Sequence, residues 1–242
     1  MLKAILFDFG QTLVDSSQAF RQAEKQAQDN IRACLDAPDD DEFIRRYRQI
    51  RKTFHEASNL SRVAIWSAVF ESFGQSYDAC ILRRWEDEYW QTVQAGTIPL
   101  PDAPEVLWAL HQRYHLGLVS NTQGNCNCPH RVEAFSEIHR HFDAIVIAGE
   151  GSIPPKPDPL PFGECLRKLG VSSGEAVFIG DDWRVDIIGA RRASIRPVWI
   201  KHKLIQRNWP SVPPGEVVVT DLVSLLKIEH LLEDTTFQGT RP

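Results

Sequence analysis

The chain has 242 residues, of which 43% are hydrophobic and 24% charged, with 27 basic and 32 acidic side chains and a formal net charge of −5. That balance excludes a disordered or fibrous chain and provides enough apolar surface for a core domain carrying an insert. No positive field is available for phosphate backbones and no apolar run reaches about 18 residues, so neither a nucleic-acid nor a membrane partner is expected.

The sequence runs straight into an apolar strand, with no basic stretch or small-residue cleavage pattern ahead of it, which gives a cytoplasmic expectation. Cys34, Cys80, Cys126, Cys128 and Cys165 are scattered and odd in number, and reduced thiols are expected. Cys126, Cys128 and His130 are close in sequence but lack a second ligand cluster at zinc spacing, so they read as loop residues without a special role.

Taken in chain order, residues 3–9 form a short apolar run that breaks at Gly10, the pattern of a buried parallel strand entering a loop. Residues 16–96 then carry no strand pattern. They predict helices over 17–35, 40–57, 60–73 and 77–94, with Gly74 among the breaks, and four helices of that length suit a bundle. Trp66, Phe70, Phe73, Trp85, Tyr89 and Trp90 recur at helical spacing there and are expected in its core.

A helix is predicted over 102–114, with Asp102 as its acidic N-cap, and strands over 115–120 and 144–148. A helix over 158–169 ends at Gly170, strands follow at 176–180 and 197–200, and a last apolar-periodic stretch covers 221–232. Strands alternating with helices imply right-handed crossovers and a doubly wound parallel sheet. The expected organisation is an α/β core of residues 1–15 plus 97–232, a helical insert over 16–96 and a polar tail over 233–242.

In such a sheet, ligands bind beyond the carboxyl ends of the strands. The residues at those ends are Asp8, then Ser120 with Asn121, then Lys156, then Asp181, Asp182 and Asp186. A nucleophilic carboxylate, a hydroxyl, a lysine and surplus acid at one edge suit phosphoryl transfer assisted by a divalent metal. Asp182 reads as the N-cap of the following helix.

These residues, in this order, resemble the signature of the haloacid dehalogenase superfamily. They stand as Asp8-Phe9-Gly10-Gln11-Thr12-Leu13, Leu118-Val119-Ser120-Asn121-Thr122, Pro155-Lys156-Pro157-Asp158-Pro159 and Ile179-Gly180-Asp181-Asp182-Trp183-Arg184-Val185-Asp186. The resemblance implies a Rossmann-like core, with the helical insert as a C1-type cap that closes over the site and selects a small phosphate ester. It also implies Mg²⁺ held by Asp8, the Gly10 carbonyl, Asp181 and Asp186. Asp8 would be the nucleophile forming an aspartyl phosphate, Lys156 would neutralise Asp8 and the phosphoryl group, Ser120 and Asn121 would meet the phosphate, and Thr12 would support the loop.

One position departs from the pattern. Most phosphatases of this superfamily carry a second aspartate two residues after the nucleophile as general acid and base, and here that position is Gly10. The phosphonatase and dehalogenase branches also lack that acid, and Lys52 with His55 matches the spacing of a phosphonatase cap lysine, although the basic run Arg45, Arg46, Arg48, Arg51 and Lys52 equally suits a solvated helix face. A dehalogenase needs no magnesium and would not require the intact acid set of Asp181 and Asp186. A non-catalytic binder that retains the fold is a further alternative.

Overall fold

The computed structural model describes residues 1–35, 39–57, 59–122, 132–205 and 209–233. Cys126, Cys128, His130 and all of the tail beyond Glu233 lie outside them. The chain divides into two compact units, one built on a sheet from Met1–Asp15, Ile98–Thr122 and the described residues from 132 on, the other helical over Ser16–Thr97.

The sheet unit contains six strands in the order β5-β4-β1-β6-β7-β8, all parallel. They are β1 (Ala4–Phe7), β4 (His115–Asn121), β5 (Ala144–Ala148), β6 (Ala176–Gly180), β7 (Arg196–Ile200) and β8 (Val218–Val219). Every residue of β1 and β6 is buried because both faces of these central strands are covered. Ile5 and Phe7 point into one apolar layer with Val106, Leu107, Leu110 and Leu225, whereas Ala4 and Leu6 point into the other with Phe162, Cys165 and Ala190. β5 alternates buried and half-buried residues, as expected of an edge strand.

Between Gly117 of β4 and the helix Leu160–Leu169 there is no room for a side chain, since a Cβ at Gly117 would stand 2.6 Å from Cys165 Sγ. That helix ends, as its sequence predicts, at a left-handed Gly170. The helix Ala103–His111 corrects one expectation: Asp102 occupies the N-cap position, but its side chain makes no capping hydrogen bond, and Pro104 in the first turn needs none. Just after β1, the two-residue strand β2 (Val14–Asp15) pairs antiparallel with β3 (Ile98–Pro99), a flap that the sequence pattern does not announce.

The helical unit consists of α1 (Ser17–Cys34), α2 (Asp40–Glu56), α3 (Arg62–Ser72) and α4 (Ala79–Ala95). Asp39, Ser61 and Asp78 cap α2, α3 and α4 by accepting main-chain N–H groups of the first turn. α1 buries a stripe of Ala19, Ala23, Ala27 and Ile31, small enough for close approach to α4. Trp66, Phe70, Tyr89 and Trp90 are buried in the bundle core and Phe73 and Trp85 pack against it, each large buried ring contributing about 1.5–3 kcal/mol. No helix among the described residues is long and apolar enough to cross a membrane.

Candidate active site

β1 delivers Asp8 to the carboxyl edge of the sheet, where its N–H still extends the ladder by donating to the Ile179 carbonyl at 2.9 Å. The turn that follows is closed by Gln11 N–H on the Val14 carbonyl, with Gln11 held at φ 62. This turn returns Thr12 to Asp8: the Thr12 hydroxyl donates to Asp8 Oδ2 at 3.4 Å.

β6 ends at Gly180 and delivers Asp181, and Asp182 then caps a tight helical turn by accepting the N–H groups of Arg184 and Val185. The turn brings Asp186 back over Gly180. A Cβ on Gly180 would stand 2.5 Å from Asp186 Cβ, so only glycine admits this packing. Asp186 Oδ2 accepts the Asp182 N–H at 2.9 Å, leaving Oδ1 for the site.

Lys156 enters from the loop after β5, where it precedes a cis peptide bond to Pro157. Its Nζ donates to Asp8 Oδ1 and to Asp186 Oδ1, both at 2.7 Å, over the ring of Phe178. The side-chain amide of Asn121 fixes its main chain, with Oδ1 accepting the Lys156 N–H at 2.9 Å and Nδ2 donating to its carbonyl at 3.2 Å. Asn121, expected among substrate contacts, thus holds the lysine loop. Ser120 and Thr122 are buried on either side of it at the end of β4.

Asp8, Asp181 and Asp186 form a group in which one carboxylate oxygen of each lies within 4.8 Å of the others. Their burial removes water that would otherwise solvate three negative charges, and Lys156 supplies one positive charge. Burial and the charge of Asp8 outweigh the ammonium and push Asp186 up to about 7. Burial alone would lower Lys156, but the charges of Asp186 and Asp8 overcome it and hold the ammonium protonated. An all-oxygen donor set with this excess of negative charge fits a hard divalent cation such as Mg²⁺.

Sequence reasoning missed Trp199. This β7 residue is 1% exposed, and its indole N–H donates to the main-chain carbonyl of Asp181 at 2.9 Å. The signal available was a tryptophan in a predicted strand, which needs a partner for its N–H when buried. Lys52, the residue that would signal phosphonatase chemistry, is 68% exposed and 3.8 Å from Glu56, the arrangement of a solvated helix face.

A family model described as haloacid dehalogenase-like hydrolase matches residues 2–194. The chain is 30% identical over 227 residues to a glyceraldehyde 3-phosphate phosphatase of Methanopyrus kandleri, covering 90% of this chain and 93% of that one. A HAD phosphatase structure from Thermococcus onnurineus superposes with a TM-score of 0.68 at 22% identity, over 94% of this chain and 98% of that one. A 2-haloacid dehalogenase structure from Pseudomonas syringae pv. Tomato gives 0.63 at 23% identity, over 97% and 99%. Phosphatase and dehalogenase thus share this fold, and the side chains of the site must separate them.

Proposed function

This chain belongs to the haloacid dehalogenase-like hydrolases, and on that premise we propose that it is a divalent-metal-dependent phosphohydrolase in which Asp8 is the nucleophile toward a small phosphate ester. One observation carries the proposal: Lys156 bridges Asp8 and Asp186 at 2.7 Å each, with Asp181 in the same carboxylate group. A dehalogenase would have no use for that surplus of acid.

In the proposed reaction a carboxylate oxygen of Asp8 forms a bond to phosphorus while the bond from phosphorus to the ester oxygen breaks, leaving an aspartyl phosphate and an alkoxide or phenoxide. Water then attacks the same phosphorus as the bond from phosphorus to the Asp8 oxygen breaks, which restores the Asp8 carboxylate. One water proton stays on the released inorganic phosphate and the other passes through solvent to the alkoxide or phenoxide. Lys156 holds the Asp8 carboxylate in place and offsets charge on the phosphoryl oxygens. Thr12 fixes the second oxygen of Asp8, and Ser120 offers a hydroxyl to the phosphate. Asp8, the Gly10 carbonyl, Asp181 and Asp186 would hold Mg²⁺, which when bound neutralises phosphate charge and acts as a Lewis acid.

Gly10 provides no proton for the leaving group, so esters of acidic alcohols and phenols are turned over best. The helical unit is the cap of this proposal, and the name of the Methanopyrus kandleri relative puts triose phosphates early in a substrate panel. The test is phosphate release from p-nitrophenyl phosphate with Mg²⁺ or EDTA, comparing the protein with Asp8→Asn. Turnover that needs both the metal and Asp8 supports the proposal. Turnover of 2-haloacids or phosphonates in its place, without metal-dependent phosphate release, overturns it.

A further inference from the structure

Trp199 is unlike the other buried aromatics of the sheet unit in what its polar atom does. Its N–H is used on the carbonyl of Asp181, the residue whose carboxylate joins Asp8 and Asp186 in the acidic group. The ring also packs against Trp183 with centroids 5.0 Å apart, and Lys201 places its ammonium 4.9 Å from the Trp199 ring. Trp199 therefore grips the segment carrying two of the three carboxylates at two points: the main chain of Asp181 and the ring of Trp183 at the start of the turn that returns Asp186.

Asp181 follows directly on β6, so its carboxylate can be aimed only as well as its main chain is held. The β6–β7 pairing ends with Gly180 opposite Trp199, one residue before Asp181. The indole bond holds the main chain of Asp181 just past the last paired residue of β6. Groups that orient metal ligands through hydrogen bonds commonly change metal affinity by 10–100-fold when removed.

We propose that Trp199 is a positioning residue for metal binding, acting through Asp181 by its indole N–H. This rests on the divalent-metal reading of the acidic group. The test is a calorimetric titration of Mg²⁺ into the protein, into Trp199→Phe and into Trp108→Phe, the last a control because Trp108 is 60% exposed on the surface helix Ala103–His111. Thermal unfolding in EDTA is followed alongside.

The expected result is a dissociation constant for Mg²⁺ raised about tenfold in Trp199→Phe and unchanged in Trp108→Phe, with the maximal rate of p-nitrophenyl phosphate hydrolysis recovered at saturating Mg²⁺. Equal affinity in the protein and Trp199→Phe overturns the proposal while leaving the metal reading intact. If the protein itself binds no Mg²⁺, the metal reading fails and the proposal with it. Should Trp199→Phe unfold at the assay temperature, site-specific replacement of Trp199 by 3-benzothienylalanine, which keeps the ring and loses the N–H, decides by the same criterion.

Discussion

Asn121 grips Lys156 by the main chain on both sides, accepting its N–H at 2.9 Å and donating to its carbonyl at 3.2 Å. The ammonium that donates to Asp8 and Asp186 is thus aimed by a side chain at the end of β4. Asn121→Ala is expected to lower kcat about tenfold, the effect of about 1.4 kcal/mol in the barrier, while KM changes little. A raised KM with intact kcat in steady-state assays would instead make Asn121 a substrate contact.

Removing the cation leaves two buried carboxylates without their partner. Lys156 is 2% exposed, and breaking a buried pair costs about 3–5 kcal/mol because the remaining charges cannot reach water. Lys156→Met is therefore expected to be strongly destabilised in EDTA and to regain much of that loss in millimolar Mg²⁺, since a bound dication stabilises the folded state by mass action. Urea unfolding in the two buffers measures both numbers, and equal stability in both would show that no metal replaces the lost charge.

Gly180 permits the approach of Asp186, and no larger residue can. An added Cβ would meet Asp186 Cβ at 2.5 Å and Oδ2 at 2.6 Å, distances that force the turn after β6 to move. Gly180→Ala is expected to abolish hydrolysis while retaining a folded protein. Calorimetry should show Mg²⁺ affinity falling with it, and full activity in this variant would mean that Asp186 has no part in the site.

Much of this was legible because the strands of the sheet unit are runs of apolar residues. The strands at 144–148 and 176–180 match their predicted bounds, and the four helices of the second unit begin and end within two residues of their patterns. What escaped had no local signal. β2, β3 and β8 are two residues each, too short for any periodicity, whereas the meeting of Lys156 with Asp8 across 148 positions was expected only through the family resemblance. The turns after the strands were visible as chemistry before they were visible as geometry: the site residues could be named, but the use of Asn121 on a main chain and of Trp199 on Asp181 depends on which strands are neighbours.

Two histidines set a pH window for stability outside the site. His141 and His202 are each 5% exposed. His141 Nε2 accepts a hydrogen bond from Arg140 and His202 Nδ1 accepts the Leu204 N–H, arrangements that require a neutral ring nitrogen. Burial lowers both below the ordinary histidine range, with Arg140 and His111 adding to the effect at His141. A group depressed in the folded state contributes stability that is complete above its unfolded value of about 6.5 and is lost as pH falls through the folded value. Relative to the double variant His141→Asn, His202→Asn, the protein is expected to show the same pH dependence of melting temperature from pH 8 to 7 and an additional loss below about 6.5. A slope unchanged in the variant would assign it to other groups.

The glycine at position 10 is not imposed by the backbone. It has no positive φ, and a Cβ built there meets nothing within 4 Å, so a side chain at this position enters open space. Gly10→Asp should therefore fold normally and place a carboxyl group two residues from Asp8, where the superfamily's other phosphatases carry their acid. Departure of an alkoxide needs a proton and departure of p-nitrophenoxide does not. The variant is expected to raise kcat/KM for an alkyl phosphate about 10²-fold while leaving p-nitrophenyl phosphate within a few-fold. If both substrates gain equally, the new carboxylate acts on the hydrolysis of the aspartyl phosphate, which is common to both. If neither gains, the proton for the leaving group already comes from elsewhere in the site, and the absence of an acid at Gly10 does not restrict the substrates this chain accepts.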